Sequence, residues 1–159
     1  MKITIIAVGK IKEKYYRDAL AEYGKRLGRY CKLEMIEVED EKTPDKASAA
    51  EEEQIREKEA ERILKYVKDE AYVVTLEIAG RMLDSVEFAE KIEKLGVRGI
   101  SHMQFIIGGS LGLHTKVCGR ADMAVSFSKM TFPHQLMRVI LTEQIYRSYR
   151  ILYGEPYHK

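Results

Sequence analysis

An α/β fold, with a mostly parallel sheet flanked by helices on both faces, is predicted for this 159-residue chain by three observations. Short apolar runs alternate with longer stretches whose apolar residues fall three and four apart, the periods of strand and helix. The two apolar runs of the last third close on glycine-rich or hydroxyl-rich turns, as strands do where a ligand sits beyond their carboxyl ends. The length suits one domain with a substantial core, and residues 1–159 are read as that single domain.

Each element follows from local chemistry. Residues 2–8 (KITIIAV) form the first strand, and 13–28 a helix carrying Tyr16, Leu20, Tyr23 and Leu27 on one face. A second strand covers 32–38, and the charged stretch 39–53 reads as a mobile surface loop running into a helix over 46–68 that presents Ile55, Ile63, Leu64 and Val67. Residues 71–76 give a third strand. The next helix starts at Asp84 or Ser85, where Asp84 caps and Glu87 reaches back to the cap. Strand 103–108 ends in Gly108-Gly109-Ser110-Leu111-Gly112, and strand 121–126 ends in the run from Ser126 to His134. The last helix takes Thr131 as N-cap and Pro133 in its first turn, then runs through Leu136, Ile140, Ile145 and Tyr149 to about Leu152.

Charge is segregated along the chain. The formal net charge is +2, yet residues 1–32 hold nine Lys/Arg against three Asp/Glu, and residues 34–61 hold four against twelve. Lys10, Lys12, Lys14, Arg17, Lys25, Arg26 and Arg29 are candidates for a face that meets phosphate. Cys31 and Cys118 lie far apart without metal-ligand spacing and are read as thiols of a reducing compartment. No apolar run is long enough to span a membrane and the amino-terminal run is too short for a signal peptide, so no membrane association and a cytoplasmic location are expected.

Several chemistries are set aside. The glycines at 108, 109 and 112 fit neither the dinucleotide fingerprint nor a phosphate loop. His102, His114, His134 and His158 show no paired metal spacing, so no metal is expected. Ser110 and Ser126 lack the strained turn of a hydrolase nucleophile. Glycine at 108 and hydroxyls, amides and carbonyls over 126–131 point instead to a cofactor cleft.

The segments FIIGGSLGL, SFSKMTFPHQLMRVILTEQIYRSYRI and the terminal GEPYHK, with the opening MKITIIAVGK and the Thr75-Leu76 strand end, resemble the bacterial large-subunit ribosomal RNA methyltransferase H family of the SPOUT, or α/β-knot, superfamily. The match spans the chain. It implies a deep trefoil knot made by the C-terminal segment, which periodicity cannot reveal. It also implies an S-adenosyl-L-methionine pocket at Leu76, Gly108, Phe127, Ser128, Lys129, Met130, Thr131 and Phe132. Leu76 and Phe132 would wall an adenine ring, and Gly108 would permit close backbone approach.

The implied reaction is methylation at N3 of a pseudouridine in a stem-loop of 23S ribosomal RNA, by a homodimer acting on the ribosome. Tyr157, His158, Glu143 and Arg147 are the catalytic candidates, with His158 the tempting general base. Two-fold association would set one protomer's tail or basic helix beside the other's pocket. Ile140 and Ile145 serve either the core or that interface. Two other readings stay open: an RNA-binding or ribosome-assembly protein without methyl transfer, and a SPOUT methyltransferase acting on transfer RNA or a ribose hydroxyl.

Overall fold

Apolar residues crowd the first strand because it lies inside the sheet with both faces covered. Ile3, Ile5, Ile6, Ala7 and Val8 are all buried. The computed structural model describes residues 1–159. In chain order the elements are β1 (Lys2–Val8), α1 (Lys14–Leu27), β2 (Lys32–Val38), α2 (Ala49–Leu64), β3 (Tyr72–Met82), α3 (Ser85–Val97), β4 (His102–Ile107), α4 (Thr115–Arg120), β5 (Met123–Ser126) and α5 (His134–Leu152). The sheet has five strands in the order β2-β1-β4-β3-β5, and every pairing is parallel.

Alternate residues of each strand feed two cores, as the pleat requires. Ile3, Ile5, Val74, Met103, Phe105 and Val125 pack on α1, α3 and α5 through Leu27, Phe88, Ile92, Leu141 and Ile145. Ile6, Val8, Val73 and Ile106 pack on α2 and α4 through Ala60, Ile63 and Val117. Ile145 therefore belongs to the core, whereas Ile140 is half-buried and lines a groove with Leu83, Phe88 and Phe132.

Several boundaries differ from the sequence reading, and the two helix starts differ for local reasons. The last helix starts at His134, with Pro133 extended at its N-cap position (φ −54, ψ 133) and no side-chain cap. Proline biases the residue before it away from the helical region, so the helix does not begin earlier, and Thr131 is an exposed turn residue and not a cap. Helix α2 begins at Ala49 because Ser48 and Glu51 form the capping box, leaving the preceding loop shorter. That loop is tethered: Arg62 donates to the Glu39 carbonyl at 2.9 Å and pairs with Glu41, and Glu59 accepts from the Glu41 amide at 3.0 Å. The capping box at Asp84 and Glu87 is present as expected. Helix α4 was not foreseen; at six residues it is too short to show a period.

The third strand also runs further than its apolar portion. Leu76 and Arg81 both pair with Val125, so Glu77–Gly80 bulges out and the strand returns to the same neighbour. Gly80 makes this return possible. A Cβ there would sit 2.7 Å from the Val125 carbonyl carbon and 2.8 Å from the Ala124 carbonyl carbon.

Candidate active site

Three turns at the carboxyl edge of the sheet meet around one cleft of about 420 Å³. The bulge of β3 gives Leu76 to Ala79, the turn after β4 gives Gly108 to Leu113, and the turn after β5 gives Phe127, Ser128, Met130, Thr131 and Phe132. Leu76, Ile107, Val125, Phe127, Phe132 and Met137 supply apolar wall, while the turns supply main-chain donors and acceptors. A cleft of this size and mix suits a flat heteroaromatic ring with a polar tail.

Each turn is shaped by its sequence. Gly108 lets its own loop fold back: a Cβ there would lie 2.9 Å from the Gly112 carbonyl carbon, and Gly112 closes the loop with φ +79. In the turn after β5 the Ser126 hydroxyl donates to the Ser128 carbonyl at 3.1 Å, and the Ser128 hydroxyl accepts from the Met130 amide at 3.0 Å. Those bonds fix the turn before any ligand enters. They also leave Lys129 exposed at its tip, so Lys129 is the one predicted cofactor residue that does not line the cleft. A long, strongly hydrated side chain stays in water when the turn's bonds do not require it inside.

Two titratable groups in the cleft escaped the sequence reading. Glu77 is held by the Thr75 hydroxyl at 2.6 Å and faces the Cys118 thiol at 3.5 Å, and burial beside this carboxylate pushes the thiol up to about 11. His134 is half-buried at the start of α5, and burial together with Arg138 holds its imidazole below the usual histidine value. Beneath it Arg138 is 0% exposed, donating to the Val8 and Gly9 carbonyls at 3.0 and 2.7 Å and pairing with Glu37 at 2.6 Å. Arg138 thereby ties α5 to the ends of β1 and β2. The available signal was an arginine inside the apolar face of α5, between Met137 and Leu141.

The four catalytic candidates form one cluster, and none of them lines the cleft. Arg147 donates to Glu143 at 2.7 Å, Tyr157 donates to the same carboxylate oxygen at 2.9 Å, and the guanidinium lies 4.7 Å from the Tyr157 ring centre. His158 Nδ1 sits 3.2 Å from Arg147 Nη1. Burial and Glu143 push the Tyr157 phenol up to about 12, so it stays a proton donor at neutral pH. The tail is anchored at both ends of this contact, since Tyr157 packs edge-on against Tyr146 at 5.0 Å and Glu155 accepts from Tyr30 at 2.9 Å. Glu143 is nine residues beyond His134, roughly 13 Å along α5.

The family model described as "Predicted SPOUT methyltransferase" matches residues 1–158. The chain is 64% identical to "Ribosomal RNA large subunit methyltransferase H" of Bifidobacterium adolescentis over 100% of both chains. Proteins of the same name from Clostridium beijerinckii and Clostridium kluyveri are 60% and 59% identical, again over 100% of each chain. A solved structure titled "The structure of a probable methylase family protein from Haemophilus influenzae Rd KW20" shares the fold, with TM-score 0.56 and 14% identity over 99% of this chain and 70% of that one. The full-length family match and these relatives show that the chain belongs to the SPOUT methyltransferase family.

Proposed function

We propose that this protein transfers a methyl group from S-adenosyl-L-methionine to N3 of a pseudouridine in a stem-loop of 23S ribosomal RNA, as a homodimer acting on the ribosome. The observation that carries the reading is the convergence of three turns, remote in sequence, on one cleft lined by seven of the eight expected cofactor residues. The cleft fits that cofactor. Leu76 and Phe132 offer apolar faces for adenine, the pinned Phe127–Thr131 turn offers main-chain groups, and Glu77 offers negative charge to a sulfonium or ammonium centre. When bound, the cofactor supplies an electrophilic methyl group.

The chain's own residues have to align the base and manage one proton. Within the tail cluster Arg147 donates toward Nδ1 of His158, which leaves Nε2–H free to donate to a carbonyl of the target base. Tyr157, kept protonated, orients Glu143, whose carboxylate is the group in this cluster that takes the N3 proton. An unpaired loop base suits this arrangement, because its N3 edge can be turned outward at small cost.

The separation of cluster and cleft along α5 favours a composite site, with one protomer's tail completing its partner's cleft. The groove lined by half-buried Ile140 shares Phe127 and Phe132 with the cleft, and with the exposed Met130 at the cleft's edge it provides an apolar seam for two-fold pairing. The implied trefoil knot is consistent with the double pairing of β3 onto Val125, where the bulge Glu77–Gly80 passes tight against β5. The testing experiment incubates unmodified ribosomes with labelled S-adenosyl-L-methionine and maps the product nucleotide by mass spectrometry. Label at N3 of one 23S pseudouridine supports the reading. Label in transfer RNA or on a ribose, or binding with no transfer, refutes it.

A further inference from the structure

Beside the cleft the amino-terminal segment builds a surface that neither the fold nor the reaction uses. Gly9 ends β1 against His134, whose Nε2 lies 3.7 Å from where a Gly9 Cβ would stand, and His134 lines the cleft. The chain therefore leaves the sheet at the cleft's rim and presents residues 10–17 there. Tyr15 is 66% exposed, and its ring is held against Tyr16 with centroids 4.5 Å apart. Tyr16 is half-buried and anchors the pair. Around it stand Lys10, Lys12, Lys14 and Arg17, all exposed.

These cations are mostly uncommitted. Lys10 and Lys12 enter no ion pair, Arg17 reaches only the Ile11 carbonyl at 3.5 Å, and Lys14 meets Asp18 at 3.8 Å with both side chains largely in water. By contrast, Arg26 and Arg29 further along α1 are engaged with Glu22, Glu155 and tyrosine rings. Glu13 and Asp18 are the acids of the segment, against four cations. An exposed aromatic face held rigid among free cations has the chemistry of a platform for single-stranded nucleic acid, stacking a base while the cations follow the phosphates.

We infer that Tyr15, backed by Tyr16 and flanked by Lys10, Lys12, Lys14 and Arg17, stacks an unpaired ribosomal RNA base next to the one being methylated and holds its backbone phosphates at the rim of the cleft. This rests on the methyl-transfer reading above and adds the surface that seats the RNA. Tyr15 is a positioning residue. It touches neither the methyl donor nor the reacting atom.

The test uses the full-length protein and unmodified large ribosomal subunits. Binding is measured first, by filter retention over a range of salt, and then methyl transfer under steady-state conditions. Tyr15→Ala and Tyr15→Leu are expected to weaken subunit binding and raise KM about tenfold with little change in kcat, while Tyr15→Phe stays within about twofold of wild type. Lys10→Ala/Lys12→Ala should lower the slope of log affinity against log salt by about 1.5. Affinity for S-adenosyl-L-methionine and sedimentation are expected to be unchanged in all four. Equal binding and KM in Tyr15→Ala and wild type would overturn the inference, as would a shift in oligomeric state, which would make the patch a contact between copies. A wild-type protein that binds subunits but transfers no methyl refutes the reaction and leaves the binding comparison standing.

Discussion

Replacing Gly80 by alanine should damage the fold and the cleft together, because this glycine lies where the returning end of β3 presses on β5. The added Cβ would lie 2.7 Å from the Val125 carbonyl carbon and 2.8 Å from both the Ala124 carbonyl carbon and the Val125 nitrogen. Ordinary carbon contacts optimise near 3.5 Å, so three overlaps of roughly 0.7 Å must be relieved at once. All three partners are backbone, and no side chain can rotate away. Overpacking of this kind costs about 1–3 kcal/mol, and a site where only a strand can move belongs at the upper end, about 3 kcal/mol. For a chain of this length that corresponds to a fall in Tm of about 6–12 °C. Movement of β5 also drags the Phe127–Thr131 turn, so affinity for S-adenosyl-L-methionine should fall about tenfold or more in isothermal titration. Gly119→Ala is the control, since nothing lies within 4 Å of its Cβ position inside α4, and it should be neutral or stabilising by up to about 1 kcal/mol. A Gly80→Ala protein that melts within about a degree of wild type and binds the cofactor equally well would refute the reasoning.

Other consequences follow from particular residues. Arg138→Met takes this donor from the Val8 and Gly9 carbonyls and leaves Glu37 with the Ile11 amide at 2.9 Å but no cation, and should cost about 3 kcal/mol in urea unfolding, Glu37 being partly open to water. His102 is held below the usual histidine value by burial and by Lys2, and it exchanges a 2.9 Å hydrogen bond with Thr4. Folding therefore favours its neutral form. Stability from this residue is present above the ordinary histidine value near pH 6.5 and is lost as pH falls below it, where the unfolded chain takes up the proton first. Urea midpoints should drop between pH 7.5 and 5.5, and the drop should be smaller in His102→Gln; an identical drop would contradict this. Tyr157→Phe/His158→Ala should impair turnover far more than cofactor affinity, and equal losses in both measurements would count against the tail's role. Lys129→Ala should leave cofactor affinity within about twofold, as its side chain stands outside the cleft.

Much of the fold could be read from the chain because local and global preferences agree there. The runs at 2–8 and 103–108 are apolar for the same reason that they are buried, 32–38 alternates as an edge strand does, and the Asp84–Glu87 box states where α3 begins. Elements were missed or misplaced where tertiary contact decides. Helix α4 is short and is stabilised by packing Val117 into the core under α2. The extension of β3 past Leu76 depends on β5, and nothing in the order Glu77-Ile78-Ala79-Gly80 announces that the strand will resume. At the site, hydroxyls and glycines gave away the turns, since they do their work through backbone geometry that the sequence encodes directly. Glu77, His134 and Arg138 gave no such sign, because what makes them notable is partners supplied by other strands. The tail tetrad was legible as residue types, yet its distance from the cleft was visible only in three dimensions.

Subunit mixing tests most directly whether the site is shared between two protomers. One variant, Thr131→Trp, fills the cleft from an exposed lining position; the other, Tyr157→Phe/His158→Ala, removes the tail chemistry. Each homodimer should be inactive in methyl transfer to ribosomes. After equal mixing and exchange, half of the dimers are mixed and each restores one of its two sites, so about a quarter of wild-type activity should return. Activity that stays at the level of the inactive homodimers, with sedimentation or mass measurement proving that mixed dimers formed, would contradict a composite site.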